Sequence, residues 1–436
     1  MIIDLSMSNF RSFQKDQMLS MNVEGAHTRH SSNYTLIEDG RIGVLRSAAI
    51  LGANASGKSN LLTALMAVRW IVQSSSGRKE GQSIPPYEPF RLSEAGQSQP
   101  VRLEIEFVVP SGVRYRYELA FSNNRILEER LYSFARRVRA TIFERSPDDT
   151  WETVKFGGTF KGGSRRFPFF PNAAYLSRAG NDASAPEFIR EIYRYFGDIS
   201  HVPAGNNFFS LLPLTNASTL AAVSELICLA DTGVNNVTME EKEGTDDIKL
   251  PDDMPESVKD IILSQNRLSA RYWIRSQSGE LVAFDSDEMS DGTTRLLYIL
   301  PLVLEAFEKG AVLAFDEIDA HFHTDIVDLI LRLFHDNEIN IRGAQIIFTT
   351  HDTNILDSTS LRRDQIWFVT KDEGSSTLKS LDEYDRKYVR HDSPFETFYR
   401  DGRLGALPRV SYGKVKEAIL GALAAKTAFR KDVTDA

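Results

Sequence analysis

Apolar and polar residues alternate over the first ten positions, with Ile3, Leu5 and Met7 on one side and Asp4, Ser6 and Ser8 on the other, the period of a half-buried strand. A second, mostly apolar strand, "VLRSAAIL" (44–51), runs into a glycine loop, and "NLLTALMAVRWIV" then has helical spacing with Leu61, Leu65 and Val68 on one face. After a Gly/Ser/Pro-rich loop (73–89), "VRLEIEFVV" (101–109) and "YRYELAFS" (115–122) flank Pro110, Ser111 and Gly112 and read as a hairpin. From 123 to about 270 the character changes. Short strand-like pieces carry Arg136, Arg137, Arg139, Arg145, Arg165 and Arg166, helices are expected near 184–197 and 217–231, and 238–257 is an acidic, turn-rich loop. The hairpin "ARYWIRSQSGELVAFDS" restores strong patterning. Beyond 289 the pattern predicts helix 294–308, strand 311–315, helix 324–336, strand 344–350 and strand 365–369. Short apolar strands alternating with helices are the mark of a parallel sheet covered on both faces. Three segments follow: an N-terminal lobe (1–122), an insertion (123–288) of β pieces then helices, and a C-terminal lobe (289–436).

A chain of 436 residues exceeds one simple core, and its 42% hydrophobic and 25% charged content is that of an ordinary globular protein. The net charge of −9 argues against a broadly DNA-coating surface while allowing a local basic patch. The lone cysteine, Cys228, excludes an internal disulfide and a cysteine zinc site and reads as a buried filler. No basic-then-apolar leader opens the chain, and the longest apolar run, 296–307, is shorter than the ~20 residues of a membrane span. A cytoplasmic protein without a membrane partner is the expectation.

The chemistry sits in the glycine loop. Gly52-Ala53-Asn54-Ala55-Ser56-Gly57-Lys58-Ser59 has glycines, lysine and serine at the spacing of a phosphate cradle, between a strand and a helix. The glycines let backbone N–H groups turn toward phosphate oxygens at the positive end of the helix. Lys58 would reach the outer phosphates and the Ser59 hydroxyl would ligate Mg²⁺. In "VLAFDEID" (312–319), four apolar residues bury a strand and deliver Asp316 to its end, where it can hold the metal shell. Glu317, one residue on, is placed to polarise an attacking water. "MSDGTTR" (289–295) lies at a loop-to-helix junction, and "FTTHD" (348–352) puts His351 at a strand end, within reach of a terminal phosphate.

In this order the motifs resemble those of ABC-type ATPases, and "NFRSF" (9–13) ahead of "GANASGKSN" resembles the RecF/SMC/OLD branch. The resemblance implies an α/β fold: an ABC-type P-loop ATPase head with a mostly parallel sheet, an antiparallel β lobe and a large insertion. It implies ATP and Mg²⁺ as cofactors and two heads sandwiching two nucleotides, with Ser290 and Gly292 facing the γ-phosphate held by the other head and Asp319 in the loop coupling the two sites. The expected nucleotide set is Gly52, Asn54, Ala55, Ser56, Gly57, Lys58, Ser59, Asn60, Ser290 and Gly292; Ser59 and Asp316 bear on the metal, and Lys58, Glu317 and His351 on hydrolysis. Met289, Asp291 and Thr293 depart from the Leu-Ser-Gly-Gly-Gln signature, and the Asp291 carboxylate is expected to point away from phosphate.

A narrower resemblance, carried by "ADTGVNNV", "RRDQIWFV", "FYRDGRLGALP" and "DEIDAHFHTD", is to the RloA-like, AAA-family OLD-related ATPases common in antiphage and abortive-infection systems. OLD nucleases add a Toprim domain; residues 352–436 leave little room for one, and the insertion lacks the heptads of an SMC coiled coil. The expected function is ATP hydrolysis by a homo-oligomeric head, at least a dimer, that controls a separate effector, a nuclease or toxin. The alternative is a RecF-like DNA-binding ATPase that uses the arginines between 125 and 166.

Overall fold

The computed structural model describes residues 1–24, 30–135, 138–205, 211–230, 232–241, 268–356, 361–384, 395–401, 403–404 and 411–434. Strands β1 (Ile2–Ser8), β2 (Gln17–Ser20), β3 (Tyr34–Ile37), β4 (Ile42–Leu45) and β5 (Ser47–Leu51) precede helix α1 (Lys58–Ser74). A short helix α2 (Glu94–Ser98) leads to β6 (Val101–Val108), β7 (Arg114–Phe121), β8 (Ile126–Ala135), β9 (Val138–Arg145) and β10 (Lys155–Phe156). Next come α3 (Tyr175–Gly180), α4 (Glu187–Gly197), β11 (Ser200–Val202), α5 (Ala217–Leu229), β12 (Asn236–Glu241), β13 (Leu268–Arg275) and β14 (Leu281–Asp285). The last part holds α6 (Asp291–Lys309), β15 (Val312–Phe315), α7 (Thr324–His335), β16 (Gln345–Thr349), β17 (Ile366–Asp372), β18 (Ser375–Ser380), α8 (Phe395–Arg400) and α9 (Tyr412–Thr434).

Burial on both faces explains the central sheet. Every residue of β5, β15 and β16 is buried. The sheet order is β11-β15-β16-β5-β17-β18, parallel except for β18. Alternate side chains divide between two cores: Ala48, Ile50 and Ile347 pack with Leu61, Leu65 and Val68 of α1, whereas Leu51, Phe315 and Phe348 pack with Ile299 and Val303 of α6 and Ile330 and Phe334 of α7. The antiparallel lobe is a seven-stranded sheet, β10-β9-β8-β7-β6-β1-β2. It runs without a break across the 122/123 boundary, because Phe121 pairs with Ile126 and the chain simply turns back into β8. The sheet crosses that change of character because β8 is half polar: Glu118 pairs with Arg130, and Arg102 with Glu128, on the outer face.

The insertion contributes the sheet β12-β13-β14 and helix α5. Val223, Ile227 and Tyr272 from these elements pack against Leu296, Leu297 and Leu300 of α6 in one core. Cys228 is half-buried, not the buried filler the sequence suggested, since α5 turns Val223 and Ile227 inward and its neighbour outward. Helix α6 starts at Asp291 rather than 294 because the Ser290 hydroxyl accepts the Thr293 N–H at 3.2 Å as an N-cap. It ends where Gly310, at φ +66°, takes the left-handed cap. No helix of the described residues is long and apolar enough to cross a membrane.

A polar cluster ties α7 to β5. The His335 ring nitrogen lies 2.9 Å from the Ser47 hydroxyl, and Gln365 bonds both Ser47 and Asn33. Burial, with Arg46 nearby, pulls the His335 pKa down to about 3. The fold therefore favours neutral imidazole, so this stabilisation is complete above pH ~6.5 and declines as pH falls toward 3, each unit being worth about 1.4 kcal/mol. The unfolding midpoint should fall across pH 6.5–4, and His335→Gln should flatten that dependence. An unchanged slope in the variant would remove His335 as its source.

Candidate functional site

Three adjacent parallel strands, β15, β16 and β5, finish at one edge of the sheet. The loops that follow them bring residues 52–58, 316–319 and 349–351 together, the place where open α/β sheets bind ligands.

The glycine loop is shaped by close neighbours. A Cβ at Gly52 would run into the Val369 carbonyl, and one at Gly57, whose φ is +115°, would come within 2.6 Å of the Ser12 and Ser376 hydroxyls. Only glycine fits there. Gly57 is also the N-cap of α1 and offers no side-chain cap, so the first N–H groups of a 17-residue helix are left for an anion. The Ser56 hydroxyl is buried without a protein partner, and a phosphate oxygen could accept from it. Lys58 lies across the loop, donating to the Gly52 carbonyl at 2.9 Å and that of Ala53 at 3.2 Å. Burial holds its ammonium below the usual lysine range, against the opposing pull of Asp316, Glu317 and Asp319. These features fit a bound polyphosphate. Asn54 and Ala55 are in the exposed part of the loop, Ala55 at φ +60°. The Asn60 side chain turns to the N-terminal turn instead, donating to Ser12 at 2.7 Å and accepting from Arg11 at 3.2 Å.

The two acidic residues have different settings. Asp316 Oδ1 accepts from the Ser59 hydroxyl at 3.0 Å and from the Thr349 hydroxyl at 2.6 Å. Ser59 and Asp316 could share a cation, completed by phosphate oxygens and water. Glu317 sits at φ +52°, an unfavourable backbone for a side-chain-bearing residue. Its N–H donates to Thr349 Oγ1 at 2.7 Å and its carbonyl accepts from Arg295 Nη2 at 3.3 Å. Thr349 thus bridges both acids, and Arg295, buried between the Phe315 and Phe322 rings, fixes Glu317 from the far side. Both lie inside motifs singled out in the sequence, "FTTHD" and "MSDGTTR", but neither motif assigned them this role.

His351 is exposed at the end of β16, and its N–H donates to both Asp319 oxygens at 3.2 Å. At the signature, Ser290 caps α6, and a Cβ on Gly292 would lie 2.7 Å from the His321 carbonyl. Asp291 Oδ2 lies 3.3 Å from His321 Nδ1, which turns its charge toward the imidazole. The arginines suggested for DNA differ in setting: Arg139, Arg165 and Arg166 are exposed, whereas Arg145 is not. Arg145 is buried and donates to the Ala173 and Pro171 carbonyls at 2.8 and 3.0 Å. Arg165 donates to the Phe160 carbonyl and Arg166 to those of Trp151 and Val154, while Arg139 stacks on Tyr132. Arg136 and Arg137 lie outside the described residues, as do Asp231 of "ADTGVNNV", most of the acidic loop and much of the 398–408 tail.

A parallel sheet whose strand ends gather a phosphate cradle and an Asp-Glu pair, beside an antiparallel lobe and a serine-capped helix, defines a P-loop ATPase head. The chain belongs to the family described as "AAA domain, putative AbiEii toxin, Type IV TA system", whose model matches residues 47–357. Nucleotide binding and ATP hydrolysis are accordingly its general activity. No curated protein matches the chain. Solved structures similar to it include an SMC head domain from Thermotoga maritima, 14% identical, covering 87% of this chain and 98% of that chain at TM-score 0.38. The recombination mediator protein RecF with a bound ATP analogue is 14% identical over 87% of this chain and 98% of that chain, at TM-score 0.36. An Smc head domain with coiled coil and joint from Pyrococcus yayanosii is 12% identical over 87% and 96%, at TM-score 0.39.

Proposed function

We propose that this head binds ATP with Mg²⁺, closes on a second copy of itself and reopens on hydrolysis, and that the cycle controls a separate nuclease or toxin in bacterial antiphage defence. Ser59 and Asp316 would hold the cation, Lys58 and the loop amides the phosphates, and Glu317 would take a proton from the attacking water, with His351 contacting the terminal phosphate. Ser290 and Gly292 would complete the site of the opposite head, the N-terminus of α6 adding its dipole.

One observation supports a controlling role above others: Leu296, Leu297 and Leu300 of α6 form part of the insertion's own core. The helix that would meet the partner's nucleotide is therefore also a wall of the subdomain that would dock an effector or a phage trigger, so closure at one end biases packing at the other. The test is affinity capture of the full chain from its native host with and without ATP. A stoichiometric nuclease or toxin whose recovery depends on ATP supports the proposal. Recovery of duplex DNA and repair proteins alone would replace it with the RecF-like reading, which further requires salt-dependent duplex binding lost on changing Arg136, Arg137, Arg165 and Arg166.

A further inference from the structure

The β17–β18 hairpin touches the phosphate loop along its outer side. Ser376, on β18 and 1% exposed, donates its hydroxyl to the Ser56 carbonyl at 2.5 Å and its N–H to the Ser12 carbonyl at 2.7 Å. Lys371, near the end of β17, donates its ammonium to the Ala55 carbonyl at 3.3 Å. One hairpin thus grips two consecutive carbonyls of the loop, while β17 itself crowds Gly52 through the Val369 carbonyl.

A trans peptide carries its C=O and the next N–H on opposite sides. A carbonyl of Ser56 held outward by Ser376 therefore turns the Gly57 N–H inward, to the side where α1 presents its uncapped first turn. The Ala55 carbonyl held by Lys371 fixes the same peptide's Ser56 N–H on the Ala53 carbonyl, at 3.1 Å, which braces the loop from within. We infer that Ser376 and Lys371 are positioning residues of the nucleotide site, which hold the loop in the shape that aims its amides at the β-phosphate shared by a nucleoside di- and triphosphate. The inference rests on the nucleotide reading of the loop and adds a third chain segment, 371–376, to it. It also accounts for the demand on Gly57, whose missing side chain leaves the space that the Ser12 and Ser376 hydroxyls approach.

The experiment is nucleotide titration of the full chain with ATP, ADP and AMP, together with steady-state phosphate release. Ser376→Ala should weaken ATP and ADP equally, by about tenfold, the value of one well-placed hydrogen bond to a charged ligand. AMP affinity should stay within twofold, and kcat at saturating ATP should change little, since Glu317 is untouched. Lys371→Ala, a surface change that threatens folding far less, should weaken ATP and ADP by about threefold, and Lys371→Arg should restore them. A lowered melting temperature with ATP and ADP affinities intact would make Ser376 merely structural and overturn the inference, as would an unaltered Lys371→Ala. Lys58→Ala in the same series separates the two claims. If it abolishes binding while the hairpin variants do not, only the hairpin inference fails; if it too leaves binding intact, the nucleotide reading fails.

Discussion

Glu317→Gln is expected to lower phosphate release by about 10²–10³-fold while ATP still binds, because the amide keeps the shape of the side chain and loses its ability to accept a proton. The size of the effect depends on how firmly the residue is held. Its backbone sits at φ +52°, pinned through the N–H by Thr349 at 2.7 Å and through the carbonyl by Arg295 at 3.3 Å, so substitution at the tip should leave its position intact. Single-turnover phosphate release at saturating ATP measures it. A variant rate within twofold of wild type would take the proton-accepting role away from Glu317.

The second large effect falls on binding. Lys58→Ala should raise the Kd for ATP by about a hundredfold, the equivalent of one strong charge-assisted hydrogen bond. The lysine is buried and already poised over the loop, bonded to the Gly52 and Ala53 carbonyls, from which it has only to swing toward a phosphate. Equilibrium binding of a fluorescent ATP analogue provides the readout. Because Lys58 balances Asp316, Glu317 and Asp319, its loss leaves an uncompensated acidic cluster that itself repels the nucleotide. An affinity unchanged by the substitution would show that ATP binds elsewhere.

What the sequence revealed and what it hid have separate physical origins. The cradle and the Asp-Glu strand were legible because their chemistry depends on neighbours in the chain: glycines at fixed offsets, a lysine, and a carboxylate one step past four buried residues. Residues that act across the fold carry no such spacing. Thr349, Arg295 and Ser376 reach the site from three separate elements; Thr349 and Arg295 fall within the His351 and Ser290 motifs, yet their spacing does not reveal the contacts they make. The lobe was legible as far as β7, where apolar alternation is clear. It was lost at β8, where Glu129 occupies a fully buried position that alternation rules assign to an apolar residue. That carboxylate accepts the Tyr175 and Leu176 N–H groups at 2.7 and 2.9 Å and the Tyr117 hydroxyl at 2.8 Å, so it caps α3 from inside the core. Arg145, read as a candidate DNA contact, lies 3.6 Å from the same carboxylate. Its neighbours in β9 remain half polar, which gave the sequence no means of separating a core arginine from a surface one.

ATP-driven closure of two heads is most directly tested by the mass of Glu317→Gln in solution, measured by light scattering with and without ATP and Mg²⁺. Closure predicts a mass that doubles, or rises further, only with nucleotide, and that returns to its nucleotide-free value when Ser290→Arg is added at the mouth of α6. A mass indifferent to ATP, together with hydrolysis that survives the Ser290 substitution in the wild-type background, would contradict a site shared between two heads.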